Sequence, residues 1–150
     1  MLASATVARC YHSTALLLPD GRVLSAGGGR PAPTNGLDNR NVEIFSPPYL
    51  SGTRPRVTDI SPTRAPYSQT IVVTTPDASI VSRVTMIGLS SVSHGDNMSQ
   101  RFNELAWSRT TGGLFVNLPS DQNHAPPGHY MLFLLSNAGV PSVARIIRLG

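Results

Sequence analysis

The sequence has no lysine, a single cysteine and few charged side chains, and each shortage narrows the possible classes of protein. Its 12 basic residues are all arginines, spread from Arg9 to Arg148 without a dense run, and the net charge is +4. Nucleic-acid-binding proteins usually carry a basic cluster with aromatic neighbours, so this distribution argues against nucleic acid as a partner. Cys10 alone cannot form an internal disulfide, so the arguments for a disulfide-stapled fold or a zinc-bound cysteine cluster do not apply.

Long apolar runs are missing as well. No stretch approaches the roughly 18 apolar residues that a membrane-spanning helix needs, so we expect no membrane span. The first residues lack the basic start of a readable signal peptide. Glycine and proline number 13 each, and this load breaks long helices and suits turn-rich β structure. A coiled coil is therefore excluded, and a helical bundle is disfavoured.

Residues 1–50 have the pattern of a short β unit. They contain three strand-like runs, at 11–18, 22–26 and 42–45. Pro19-Asp20-Gly21 is a strong turn signal between the first two runs. Three glycines at 27–29 are expected to end the second strand, and residues 51–55 have the composition of a linker.

From residue 56 to 150 the pattern changes to short strands at even spacing. Seven candidates follow one another, at 56–60, 70–74, 80–87, 100–105, 114–117, 129–136 and 144–149. Seven short strands in about 95 residues are typical of an immunoglobulin-type sandwich. Tyr130 stands near the start of one strand, where its hydroxyl is expected to bond back to the backbone as a tyrosine corner.

Specific motifs then point to a family. The segment 9–13, Arg-Cys-Tyr-His-Ser, is followed by Leu-Leu-Leu-Pro-Asp-Gly-Arg-Val at 16–23 and by the three glycines. This order resembles the last kelch-type propeller blade of the galactose oxidase and glyoxal oxidase family. Residues 42–50 are similar to that family's exit from its β-propeller.

The second part of the chain carries further resemblances to the same family. Ser93-His94 followed by Gln100-Arg101 is similar to a motif of its C-terminal domain, and so are the segments 127–133 and 137–144. That domain is an "early set" immunoglobulin-like sandwich. The resemblance therefore implies an all-β chain, with a partial kelch β-propeller blade at 1–50 and a galactose oxidase-like early set domain at 56–150.

The resemblance also implies a chemistry. The family consists of secreted copper radical oxidases, which oxidise an alcohol or aldehyde and reduce dioxygen to hydrogen peroxide. Tyr11 matches the family's axial tyrosine ligand, which is also a candidate proton acceptor in catalysis. His12 and His94 match its two histidine ligands. Copper is the implied cofactor, a primary alcohol, aldehyde or carbohydrate the implied substrate, and the extracellular space the implied location.

The residue types agree with copper, on one structural condition. Imidazole nitrogens with a phenolic oxygen suit tetragonal Cu(II). Neighbouring side chains on a regular strand point to opposite faces of the sheet. Tyr11 and His12 therefore reach one ion only on an irregular backbone.

The sequence departs from the family in one respect that matters for catalysis. The family's second tyrosine, which carries the radical, and the cysteine joined to it lie in earlier propeller blades. Cys10 is not that cysteine, because it occupies the variable position before the axial tyrosine. Tyr49, Tyr67 and Tyr130 match strand or turn positions. We therefore expect the C-terminal portion of a larger oxidase, inactive alone, with the remaining propeller blades as its partner.

Two other functions remain open from the sequence alone. The chain is also interpretable as a non-catalytic immunoglobulin-like module for interaction or carbohydrate contact, or as a complete small binding protein. Without the resemblance, His94 is an ordinary polar loop residue. His124 and His129 flank a proline-rich segment and are expected at the surface.

Overall fold

Turn residues divide the chain into short strands, and almost no helix forms. The computed structural model describes residues 4–29 and 38–150; residues 1–3 and 30–37, which belong to the predicted blade remnant, lie outside the described residues. The strands are β1 (Tyr11–Leu17), β2 (Val23–Gly29), β3 (Val42–Phe45), β4 (Asp59–Ser61), β5 (Arg64–Ala65), β6 (Thr70–Thr74), β7 (Val81–Gly88), β8 (Val92–Ser93), β9 (Asp96–Asn97), β10 (Phe102–Leu105), β11 (Trp107–Thr110), β12 (Gly113–Asn117), β13 (Gly128–Ser136) and β14 (Arg145–Leu149). The all-β prediction is confirmed. Two 3-10 turns complete the described part, and it contains no helix long and apolar enough to cross a membrane.

The first three strands form an antiparallel sheet in the order β1-β2-β3. The predicted turn between β1 and β2 is present, since the amide of Gly21 donates to the Leu18 carbonyl at 2.9 Å and Gly21 has a φ of 85°. The sequence predicted that the three glycines end β2, and this prediction is wrong. They lie within the strand, and Gly29 pairs with Tyr11. We call this unit the N-terminal sheet.

Two larger sheets pack face to face as a sandwich. One has five strands in the order β10-β7-β13-β14-β5, and the other has four in the order β11-β12-β6-β4. Alternating residues of both sheets fill the core between them, as Ile71 and Val73 do from β6 and Val84 and Met86 from β7. The short hairpin β8–β9 leaves the sandwich between β7 and β10. We call it the 92–97 hairpin.

The central strand β13 is buried on both faces, which explains its unbroken apolar run. Leu132 and Leu134 belong to the sandwich core. Met131 and Phe133 point the other way, into a second cluster that includes Leu17 of the N-terminal sheet. Strands covered on both sides read as continuous hydrophobic sequence rather than alternation.

Polar bonds join the N-terminal sheet to the sandwich. The backbone amide of Ala144 donates to the Pro19 carbonyl at 2.8 Å. Arg54 donates from Nη2 to the carbonyls of Asp20 and Ser142, at 2.7 and 3.0 Å. The arginine therefore connects the turn of the N-terminal sheet with the segment before β14.

The tyrosine corner predicted at Tyr130 is confirmed. Its hydroxyl donates to the Pro126 carbonyl, four residues upstream, at 2.5 Å. The ring lies in the sandwich core. Burial raises the pKa of this phenol, with a smaller contribution from Tyr67. The hydroxyl therefore stays protonated at neutral pH and serves as a fixed donor that secures the entry to β13.

Candidate metal centre

Tyr11 and His12 begin β1, where the backbone is irregular. His12 has a φ of 53°, in the left-handed region that few residues other than glycine adopt. As a result, the two neighbouring rings do not point to opposite faces. They stack with their centroids 3.9 Å apart and an angle of 19° between their planes. This is the irregularity that a shared metal site for both side chains requires.

The glycines of β2 make room for this backbone. A Cβ atom on Gly27 would lie 2.7 Å from the His12 carbonyl oxygen, and one on Gly28 would lie 2.9 Å from the Cα of Arg9. Both glycines have positive φ, 70° and 88°. The glycine run is therefore a requirement of close backbone approach opposite His12, which explains why it continues the strand.

Arg9 connects β2 and β3 beside Tyr11 and His12. Its side chain is only 5% exposed and pairs with Glu43 at 3.3 Å. Its Nη1 donates to the Gly27 carbonyl at 2.8 Å and to the Asn41 carbonyl at 3.2 Å. Hydrogen bonds from Thr6, with a smaller contribution from Arg9, hold the pKa of the Glu43 carboxyl below its usual value. The Glu43 carboxylate thus stays ionised at neutral pH, and its contact with Arg9 links β3 to the segment that carries Tyr11 and His12.

His94 stands at the tip of the 92–97 hairpin. His94 and Gly95 have φ values of 55° and 90°, so both central residues of the two-residue turn are left-handed. This is the type I′ geometry that matches the twist of a hairpin. Glycine is common at the second position, whereas histidine at the first is unusual. The tip lies against β1, since a Cβ on Gly95 would meet the Ser13 carbonyl at 3.5 Å.

The hairpin brings His94 to His12. Their ring centroids lie 5.1 Å apart, edge to face, with an interplanar angle of 78°. Metal–nitrogen bonds are about 2 Å long, so two nitrogens bound to one ion stand at most about 4 Å apart. The observed ring separation is compatible with that limit. Two imidazoles and the adjoining Tyr11 phenol form a donor set that fits Cu(II).

The surroundings of these three side chains are open. Tyr11 is 55% exposed, and both histidines are exposed. A groove of about 280 Å³ runs beside Tyr11 and His12, bordered by the glycine run and by Asp38 and Asn39. Within residues 4–29 and 38–150, no three His, Cys, Asp or Glu side chains gather as a metal cluster, so the phenol is what completes a three-donor set.

The other tyrosines serve the fold. Their hydroxyls each donate to a backbone carbonyl: Tyr49 to Gly21 at 2.7 Å, Tyr67 to Ala125 at 2.8 Å, and Tyr130 to Pro126. They occupy the structural positions that the sequence indicated. Cys10 is exposed, and its carbonyl accepts a bond from the Ser13 hydroxyl at 2.9 Å.

The two remaining histidines lie at the surface, as expected. His124 contacts Asp121 at 2.9 Å in an exposed turn, and this contact, with backbone donors of the same turn, lowers the pKa of Asp121 to about 2. His129 is exposed on β13, where it pairs with Arg148 of β14.

Sequence reasoning missed the roles of Arg9 and Ser93. Arg9 lies in the segment 9–13 and Ser93 precedes His94, but no spacing rule identifies an arginine or a serine that holds a neighbouring metal ligand in position.

Comparison with known proteins covers both parts of the chain. The family model for the galactose oxidase-like early set domain matches residues 54–149. A galactose oxidase of Gibberella zeae is 39% identical over 95% of this chain, which corresponds to 22% of that protein. An aldehyde oxidase of Arabidopsis thaliana is 33% identical over 99% of the chain and 27% of its own length.

A solved structure agrees with these relatives. It is a fungal alcohol oxidase in complex with copper, with a TM-score of 0.86 and 35% identity, and the match covers 98% of this chain and 32% of that one. The chain thus spans about a fifth to a third of the proteins that it matches. Sequence, family model and structure point the same way, and the chain belongs to the galactose oxidase-like early set domain family.

Proposed function

We propose that this chain is the C-terminal portion of a copper radical oxidase, which oxidises a primary alcohol or aldehyde and reduces dioxygen to hydrogen peroxide. The observation that carries the proposal is the convergence of Tyr11, His12 and His94 from two separate sheets. Support comes from relatives named galactose oxidase and aldehyde oxidase and from a structural neighbour that contains copper.

The proposal includes a division of the chain. Residues 1–50 are the remnant of a last kelch-type propeller blade, 51–55 are a linker, and 56–150 are the early set domain. The three-stranded N-terminal sheet supports the first assignment, because a propeller blade is a small antiparallel sheet of four strands. The remaining blades are the partner of this portion, and the whole enzyme is secreted.

Each residue of the site then has a distinct task. His12 and His94 would hold a copper ion through one ring nitrogen each, and Tyr11 would hold it through its phenolic oxygen. A bound copper ion supplies one-electron redox chemistry at this position. Tyr11 is exposed beside the open groove, and its Oη atom, once it has lost its own proton to become a phenolate, would take the proton that the substrate hydroxyl gives up. The left-handed backbone at both histidines sets the direction in which each side chain leaves the main chain.

Titration of the metal-free chain with Cu(II) tests the proposal. We expect one Cu(II) per chain, with nitrogen coupling in its electron paramagnetic resonance spectrum. His12→Ala and His94→Ala should each weaken binding by at least about 100-fold, since even partners outside the ligand set contribute about 10- to 100-fold.

His129→Ala is the matched control, because His129 is exposed on a strand of the sandwich. It should leave the Cu(II) affinity unchanged. Equal binding by the wild type, His12→Ala and His94→Ala would contradict the proposal and favour the non-catalytic module.

A further inference from the structure

Ser93 lies next to His94 on the 92–97 hairpin, and its hydroxyl contacts the ring. The distance from Ser93 Oγ to His94 Nδ1 is 2.9 Å. A histidine ring has only two nitrogens, so this contact occupies one of them and leaves Nε2 for any other partner. The contact therefore decides which nitrogen of His94 is available to a ligand.

Which nitrogen of the His94 ring carries the hydrogen determines which nitrogen can bind a metal. A neutral imidazole carries its hydrogen on one nitrogen, and the bare nitrogen is the one that binds a metal. If Nδ1 donates to the serine hydroxyl, Nε2 is bare. We infer that Ser93 is a positioning residue: its Oγ accepts a hydrogen bond from Nδ1–H and so keeps Nε2 of His94 ready as the metal ligand. This inference rests on the proposed function.

The rest of the hairpin is held without the Ser93 hydroxyl, since Ser93 pairs with Asp96 through its backbone. The Asn97 Oδ1 atom accepts the amides of Ser91 and Ser99, at 3.1 and 3.0 Å. The amide of Met98 donates to the Ser91 carbonyl at 2.8 Å. These bonds brace the neck of the hairpin, so the Ser93 hydroxyl is left to control the ring alone. His12 is held by a different device, its stacking on Tyr11.

Nuclear magnetic resonance of the metal-free chain tests the inference directly. Proton–nitrogen correlation spectra of the imidazoles, recorded at about pH 8 where unperturbed histidines are neutral, distinguish protonated from bare ring nitrogens. We expect His94 to carry its hydrogen on Nδ1 in the wild type. Ser93→Ala should shift the population toward hydrogen on Nε2 and weaken Cu(II) binding by about 10-fold.

Two further variants make the result specific. Ser93→Thr keeps the hydroxyl and should restore both the ring hydrogen on Nδ1 and the Cu(II) affinity. Ser91→Ala is the control next to the same hairpin, because the contacts of Ser91 with the hairpin run through its backbone. It should change neither measurement, and the amide signal of Gly95 reports whether the turn stays folded in each variant.

The outcomes separate this inference from the proposed function. A bare Nδ1 in the wild type, or an unchanged His94 spectrum in Ser93→Ala, overturns the role of Ser93 whatever the metal data show. An unchanged Cu(II) affinity in His12→Ala and His94→Ala overturns the proposed function. The spectra of the metal-free chain still test the role of Ser93 in that case.

Discussion

At the scale of single residues, the most informative feature is the backbone at His12 and His94. Among the described residues, three that are not glycine have positive φ, and these two are among them. Such a conformation costs about 1–3 kcal/mol per residue and tends to persist at functional sites. The sequence indicated that Tyr11 and His12 need an irregular backbone to share an ion, but no pattern marks either histidine as left-handed. The motif resemblance gave the residues, and only the structure gave their strained geometry.

Arg9 offers a prediction at this scale. Its nearly buried guanidinium donates hydrogen bonds to the carbonyls of Gly27 and Asn41 and forms an ion pair with Glu43. Arg9→Lys keeps the charge but loses the planar fork, so one ammonium group cannot replace all of these bonds. We expect the free energy of unfolding, measured by urea denaturation, to fall by about 1–2 kcal/mol, because the guanidinium itself is nearly buried.

The matched control for Arg9 is Arg22→Lys. Arg22 pairs with Asp20 at 2.7 Å, but its side chain is 43% exposed. Exposed pairs contribute only about 0–1 kcal/mol, so the change should be small. Equal losses in the two variants would show that the burial of Arg9 has no special weight.

At the scale of elements, strand positions were largely predictable and small features were not. Runs such as Thr70–Thr74 and Gly128–Ser136 were placed within a residue or two, because apolar residues and turn signals bound them. The two-residue strands of the 92–97 hairpin were missed. So short a strand has no periodicity to detect, and its stability comes from the Asn97 side chain and the turn.

The turn of that hairpin carries the element-scale prediction. Gly95 has a φ of 90°, where an alanine is strained by about 1–2 kcal/mol. Gly95→Ala should therefore disturb the tip that presents His94 and weaken Cu(II) binding. Gly112→Ala introduces the same strain at a φ of 82° in the turn between β11 and β12.

Comparison of the two glycine variants isolates the position of the strain. Both should lower the free energy of unfolding by a similar amount, on the order of 1 kcal/mol. Only Gly95→Ala should change the Cu(II) titration. A loss of Cu(II) affinity in Gly112→Ala as well would mean that general destabilisation, rather than the hairpin tip, controls the site.

At the scale of the whole molecule, the sequence indicated two units but not how they meet. The contacts that join them connect distant segments, such as the amide of Ala144 with the carbonyl of Pro19 at 2.8 Å. The second apolar face of β13, with Phe133 packed in the cluster that includes Leu17, belongs to the same junction. Local pattern cannot reveal such pairings, because each partner alone resembles an ordinary surface or strand residue.

The whole-molecule prediction concerns turnover. Oxidation of an alcohol to an aldehyde removes two electrons, and a copper centre supplies one redox equivalent. In this chain the tyrosines other than Tyr11 are tied to backbone carbonyls. We therefore expect the Cu(II)-loaded and oxidised chain to form no peroxide from galactose or from glyoxal-type aldehydes.

Two variants show whether any peroxide comes from the site. Peroxide that depends on substrate and disappears in both His12→Ala and His94→Ala would contradict this expectation. It would mean that the second redox group lies within these 150 residues.

The placement of the two histidines has a thermodynamic consequence. His12 belongs to the N-terminal sheet and His94 to a hairpin of the sandwich, so a ligand held by both rings is a cross-link between separate packed units. Binding of the ion and packing of the N-terminal sheet against the sandwich then stabilise each other. A ligand present at about 100 times its Kd adds about 2.7 kcal/mol to the docked state. If copper binds at the proposed site, we therefore expect substitutions at Leu17 or Phe133, in the apolar cluster between the two units, to change the copper affinity although neither residue coordinates the ion.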